Sequence, residues 1–170
     1  MKPILLVASP EEERLVKKYL PEYEYLVMGI GASNVIHSLC ELPKGTPVVN
    51  IGFAGSTDVA IGSVCMVSTT WRLKNEEFVF EDYRHGFQIS EEGLPCYTSN
   101  SFVTSTDMEG SILFDMELNY IAAFPLDLVG AIKIVSDNLC LEAYKHSISR
   151  DEDDVWEDVR KCLEGLVAGR

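Results

Sequence analysis

The stretch Leu128-Val129-Gly130-Ala131-Ile132-Lys133-Ile134-Val135-Ser136-Asp137-Asn138 decides how this chain is read. Leu128, Val129, Ala131, Ile132, Ile134 and Val135 form an apolar run rich in β-branched side chains. Such a run suits a strand buried on both faces of a parallel sheet. Ser136-Asp137-Asn138 closes it with short polar side chains that favour a loop. Open α/β sheets bind ligands beyond the carboxyl ends of their strands, so Asp137 stands where a catalytic carboxyl would be placed. Polar residues after a strand also serve as plain turn or cap residues, and the rest of the chain must decide between the two uses.

Composition narrows the classes. The chain has 170 residues, 46% hydrophobic and 9% aromatic, enough for one globular domain spanning residues 1–170 with a sizeable core. No apolar run approaches the length of a membrane span. The segment Ile4 to Ala8 reads as a first strand and not as a signal peptide, because Glu11, Glu12 and Glu13 follow at once. A cytoplasmic location is the expectation. The net charge of −13 argues against nucleic acid or an anionic membrane as partner. Cys40, Cys65, Cys96, Cys140 and Cys162 are scattered, with no CxxC pair and no Cys/His cluster, so free thiols and no metal site are expected. His37, His85 and His146 match no motif and are read as structural or surface residues.

Before the Leu128 stretch the chain alternates strands with helices or glycine-rich loops. After the first strand, Ser9 is a good N-cap, Pro10 suits the first helical position, and the three acids favour the positive end of the helix dipole. Tyr25 to Met28 reads as a second strand, followed by Gly29-Ile30-Gly31 and a helix from about Val35 to Leu42. Pro47 to Ile51 reads as a third strand leading into a loop, Gly52-Phe53-Ala54-Gly55-Ser56. Glycines at strand ends let backbone N–H groups approach a ligand closely. Ile61 to Ser68 reads as a fourth strand, and Cys96 to Val103 as another. Residues 72–95 are charged and irregular, with Trp71, Phe78, Phe80, Tyr83 and Phe87 interleaved, and read as a hairpin or long loop. Phe114 to Ala123 has helical periodicity, and a last amphipathic helix runs from about Asp151 to Val167.

In this order the motifs resemble the purine nucleoside phosphorylase/nucleosidase family, most of all the methylthioadenosine/S-adenosylhomocysteine nucleosidases. The resemblance implies a nucleoside phosphorylase-like, three-layer α/β fold, here shortened, with a mixed, mostly parallel sheet flanked by helices. It implies a nucleosidase that hydrolyses the N-glycosidic bond of a purine (thio)ribonucleoside and needs no cofactor. Glu11-Glu12-Glu13 looks like the family's Glu triplet, whose last member, Glu13, activates the attacking water. Gly31 looks like part of the loop beneath the ribose, and Ala54 and Gly55 like backbone lining base and ribose. Phe53 stands where the nucleosidases carry a small residue, and its bulk would narrow the ribose site. Phe102 looks like the residue that stacks on the purine, and Val103 like the one whose backbone reads its edge. Met116 and Glu117 look like the Met-Glu pair that packs under the ribose and accepts its hydroxyls. Ser136 and Asp137 look like the Ser-Asp pair whose Asp protonates N7 of the leaving base.

The chemistry explains the residue types. Cleavage of an N-glycosidic bond passes through a transition state with oxocarbenium character. The leaving purine gathers negative charge and needs an acid, and the sugar needs carboxylates and a positioned water. The family resemblance also implies a homodimer, with Trp71 to Phe87 near the contact. The alternatives to hydrolysis are a nucleoside phosphorylase and a non-catalytic nucleoside-binding homologue.

Overall fold

The computed structural model describes residues 2–73 and 86–169. Its strands are β1 (Ile4–Val7), β2 (Tyr25–Val27), β3 (Pro47–Gly55), β4 (Val64–Arg72), β5 (Phe87–Gln88), β6 (Leu94–Thr98), β7 (Leu113–Asp115) and β8 (Asp127–Asp137). Its helices are α1 (Pro10–Tyr19), α2 (Ala32–Leu39), α3 (Leu118–Ala122), α4 (Leu141–Ile148) and α5 (Asp153–Ala168). The strands form one mixed sheet in the order β2-β1-β3-β7-β6-β4-β5, with β8 pairing both β3 and β4. Pairing is parallel for β1 with β2 and β3, β3 with β8, and β6 with β4 and β7. It is antiparallel for β3 with β7, and for β4 with β5 and β8. The strands β3, β8, β4, β6 and β7 therefore close a ring, and β1 and β2 extend from it as a wing. The α/β sheet expected from the sequence, mixed and mostly parallel, is the one found.

Three apolar clusters explain the arrangement. Leu5, Val49, Ile51, Ile132 and Ile134 face α1 and α5, which contribute Leu15, Val16, Trp156, Val159 and Leu163. Leu6 and Val48 face α2 and α3, which contribute Val35, Leu39 and Ile121. The third cluster draws on Ala54, Val67, Cys96, Leu113, Ala131 and Val135, one or two from each strand of the ring, and fills its interior. Side chains alternate along a strand, so on β8 Ala131, Lys133 and Val135 share the interior face. Gly130 lets α5 lie close, since a Cβ there would be 2.6 Å from Leu166 Cδ1.

Several boundaries differ from the sequence reading. Gly52 to Gly55 is the end of β3 and not a loop, and Ser136 and Asp137 are the last residues of β8. Phe114 and Asp115 lie in β7, where a helix is expected, because they pair with β6 and β3; the helix starts only at Leu118. The fourth strand begins at Val64 and not at Ile61. α4 is an additional helix, none of whose residues is buried. Most of the aromatic stretch assigned to a subunit contact, residues 74–85, lies outside the described residues. All five cysteines are free, and no described helix is long and apolar enough to cross a membrane.

Candidate active site

A cleft of about 140 Å³ opens beyond the carboxyl ends of β1, β3 and β8. Four carboxyl groups line it, those of Glu12, Asp115, Glu117 and Asp137; no Lys or Arg does so among the described residues. Ala54, Gly55, Phe53, Met116 and Ser136 line it as well, with Phe102 and Tyr144 at its rim.

Glu12 reaches the cleft through the start of α1. Ser9 caps the helix and accepts a hydrogen bond from the Glu12 N–H at 3.2 Å, while Glu12 Oε2 accepts from the N–H of Ser9 at 3.1 Å. This capping box turns the carboxyl back over the sheet. Oε2 also accepts from Ala8 N at 2.5 Å, and Oε1 from Phe53 N at 3.1 Å. Gly52 makes room, since a Cβ there would sit 2.8 Å from Oε1. Burial pushes the Glu12 pKa up; the three backbone donors and the charge of Lys133 pull the other way. Glu13, the expected water-activating residue, is turned out of the cleft. It pairs with Lys17 at 2.7 Å and accepts from the Tyr25 hydroxyl, and those partners hold its carboxyl below the usual range. The reason is helical rotation: successive side chains point about 100° apart, so one residue separates cleft from solvent.

Asp137 is 1% exposed. Its Oδ2 accepts from Ser136 Oγ at 2.7 Å, and its Oδ1 is buried without a hydrogen-bond partner. Gly55 provides the space, because a Cβ there would be 2.9 Å from Oδ1. Two glycines of β3 thus accommodate two carboxyls at the same sheet edge.

Glu117 lies opposite, on the Gly29–Gly31 side. Its Oε1 accepts from Gly31 N at 3.2 Å, and Gly31 holds φ of +84° at the start of α2, a conformation glycine adopts freely. Burial, then the neighbouring Asp115 charge, pushes the Glu117 pKa up to about 8. Asp115 itself is paired with Lys133 at 2.7 Å and accepts from Thr98 Oγ1 at 2.6 Å. The Glu117 pKa has a measurable consequence. The folded chain holds a proton that the unfolded chain releases from pH 4.5 upward, so this stability is full below pH 4.5 and lost as the pH rises through about 8. Thermal unfolding midpoints should fall over that window, by an amount on the order of a few kcal/mol in stability. Glu117→Gln should flatten the fall, and an unchanged slope would sink the assignment.

Phe102 and Tyr144 make a tilted ring pair, centroids 5.6 Å apart. Burial and the surrounding carboxylates push the Tyr144 phenol up to about 12. Val103 is not in the main cleft; it lines a smaller adjoining chamber with Phe102, Gly55, Asp137 and Leu139. Gly31 acts through its N–H on Glu117. The structure thus brings Asp137, Glu117, Met116, Phe102, Phe53, Ala54, Gly55 and Ser136 together and leaves Glu13 outside. Glu12, Asp115, Tyr144 and Lys133 escaped the sequence reading. The Ser9-x-x-Glu12 capping box was the signal for the first, and a lone charge within an apolar run the signal for Lys133. Nothing in the sequence marked Tyr144.

A scan against protein-family models finds no match, and a search of curated proteins finds none. Solved structures do match. An Asp-to-Asn variant of the MTAN of Chlamydia trachomatis bound to MTA is 16% identical, with a TM-score of 0.70 over 99% of each chain. A 5′-methylthioadenosine/S-adenosylhomocysteine nucleosidase from Helicobacter pylori is 16% identical, with a TM-score of 0.68 over 100% of this chain and 99% of that one. The chain has the nucleosidase fold. The futalosine hydrolase of Helicobacter pylori shares that fold too, at 15% identity and a TM-score of 0.69 over 100% of this chain and 98% of its own. In this nucleosidase fold the cleft lies at the carboxyl edge of the ring, where Glu12, Glu117 and Asp137 line it.

Proposed function

We propose that the protein is a nucleosidase that splits the N-glycosidic bond of a purine (thio)ribonucleoside with water. The observation that carries this reading is one cleft holding two buried carboxyls in contrasting settings. Glu12 is tied by three backbone N–H groups, which favour its charged form, and Asp137 keeps an unpartnered oxygen. Paired carboxyls in different environments are what acid and base roles require. The purine stacks on Phe102, and the ribose lies over Met116 with a hydroxyl on Glu117, whose carboxyl can accept in either protonation state. Asp137 gives its proton to N7 as the bond from C1′ to the base breaks and the electron pair leaves with the purine. Water adds to C1′ and its proton passes to Glu12. The products are free base and free sugar.

Water, and not phosphate, is the nucleophile. A phosphate dianion needs cations, typically a bidentate Arg. No described cation lines this cleft, and Arg72 instead lies over the Tyr120 ring, 5.2 Å from its centroid. Incubation with methylthioadenosine, adenosylhomocysteine, adenosine, inosine and futalosine in phosphate-free buffer is expected to release base from at least one of them. Binding without release would make the protein a nucleoside binder. Strict phosphate dependence with sugar 1-phosphate as product would make it a phosphorylase.

The protein acts as a cytoplasmic homodimer in this reading. Light scattering at micromolar concentration is expected to give twice the chain mass, and a monomer there would refute the dimer.

A further inference from the structure

Lys133 is, among the described residues, the one charged side chain in the middle of an apolar strand, and it is 1% exposed. The proposed chemistry does not use it. Its Nζ lies 2.7 Å from Asp115 Oδ2, on a strand that is not a hydrogen-bonded neighbour of β8, so the pair crosses the interior of the ring. A buried ion pair is weak evidence for stability, because desolvation offsets much of its attraction. Its location is more informative. In the parallel pairing of β3 with β8, Lys133 is the register partner of Gly52. Register partners in a sheet present side chains to the same face. The flanking pair Ala54 and Val135 confirms it, since both belong to the interior cluster. The position that a Gly52 side chain would fill is taken by Glu12 Oε1, 2.8 Å from an added Cβ. Glu12 therefore sits on the Lys133 face of the sheet, beside the strand that carries the ammonium.

We propose that Lys133 is a positioning residue for Glu12: its ammonium, anchored by Asp115, is the counter-charge that favours the carboxylate form of Glu12 at the mouth of the ring. The inference rests on Glu12 being the base of the proposed hydrolysis. The groups that face Lys133 are Asp115 on β7, Cys96 on β6, Glu117 before α3 and Glu12 on α1. Glu12 in turn accepts from the backbone N–H groups of Ala8, Ser9 and Phe53, and its charge acts on the Glu117 carboxyl and the Tyr144 phenol. Burial is the largest influence on Glu12 and raises its pKa; the Lys133 charge acts in the opposite direction. Asp115 holds the ammonium in place.

The test is a carboxyl titration by NMR of protein carrying 13C-labelled glutamate, with the Glu12 resonance identified by its loss in Glu12→Gln. The variants are Lys133→Met, Asp115→Asn and the double variant. The double variant removes the ion pair as a unit and leaves no orphaned buried charge, so it keeps the fold where Lys133→Met alone does not. The Glu12 midpoint is expected to rise by about one pH unit or more in Lys133→Met and in the double variant, and not to rise in Asp115→Asn. The acid limb of kcat/KM should move with it. A double variant with the wild-type Glu12 midpoint would overturn the proposal and leave Lys133 a packing residue. The titration needs no turnover, so it decides the role of Lys133 even if every nucleoside in the panel stays intact, a result that would defeat the nucleosidase reading alone.

Discussion

Asp137→Asn should lower the rate of base release by about 10²–10⁴-fold while the protein stays folded. The amide has the shape of the carboxyl and fits the space beside Gly55, where a Cβ would come within 2.9 Å of Oδ1. Its oxygen can still accept from Ser136 Oγ, as Oδ2 does at 2.7 Å. What it lacks is a proton acidic enough to pass to the purine nitrogen as the glycosidic bond breaks. Binding should survive, because the stacking and ribose contacts come from other residues. The loss therefore belongs in kcat, with KM little changed. The measurement is single-turnover release of base, with the thermal unfolding midpoint as a control on folding. Near-normal turnover would remove Asp137 from the acid's role and leave its buried, unpartnered oxygen without an account.

The position of Asp137 was legible because two independent rules agree on it. The β-branched run before it reads as a buried strand, and ligands gather at the carboxyl ends of such strands. Other parts were illegible for definite physical reasons. Gly52 and Gly55 look like loop residues, since glycine weakens a strand, yet each keeps its place in β3 by giving space to a carboxyl. β7 is three residues long, too short to show a period of two, and its pairing with β3 and β6 is set by residues far away in sequence. α4 buries none of its residues, so no apolar stripe announces it, and Tyr144 enters the cleft unmarked. Lys133 is hidden by its own strand: the apolar pattern around it is what places its charge inside the ring, opposite Asp115.

The choice between adjacent glutamates gives the second large effect. Glu12→Gln should cost about 10²–10⁴-fold in rate, because an amide cannot take the proton from the attacking water. Glu13→Gln should leave the rate close to that of the unaltered protein, since Glu13 faces Lys17 and Tyr25 and not the cleft. The two variants differ in stability as well. Glutamine still serves in a capping box, so the start of α1 should hold. Glu12, however, accepts hydrogen bonds on both oxygens, from Ala8 and Ser9 on one and from Phe53 on the other. The amide offers one acceptor, and its NH₂ must face a backbone N–H, leaving a buried donor unpaired at a cost of about 1–3 kcal/mol. Gly52→Ala attacks the same carboxyl from below. The new methyl would stand 2.8 Å from Oε1, and Glu12 can make way only by giving up its bond to Phe53 N. That variant should also lose activity, with every titratable group still present. Base release and unfolding midpoints measured on all three variants separate the roles. A rate loss in Glu13→Gln as large as that in Glu12→Gln would return the water-activating role to the residue that the helix turns toward solvent.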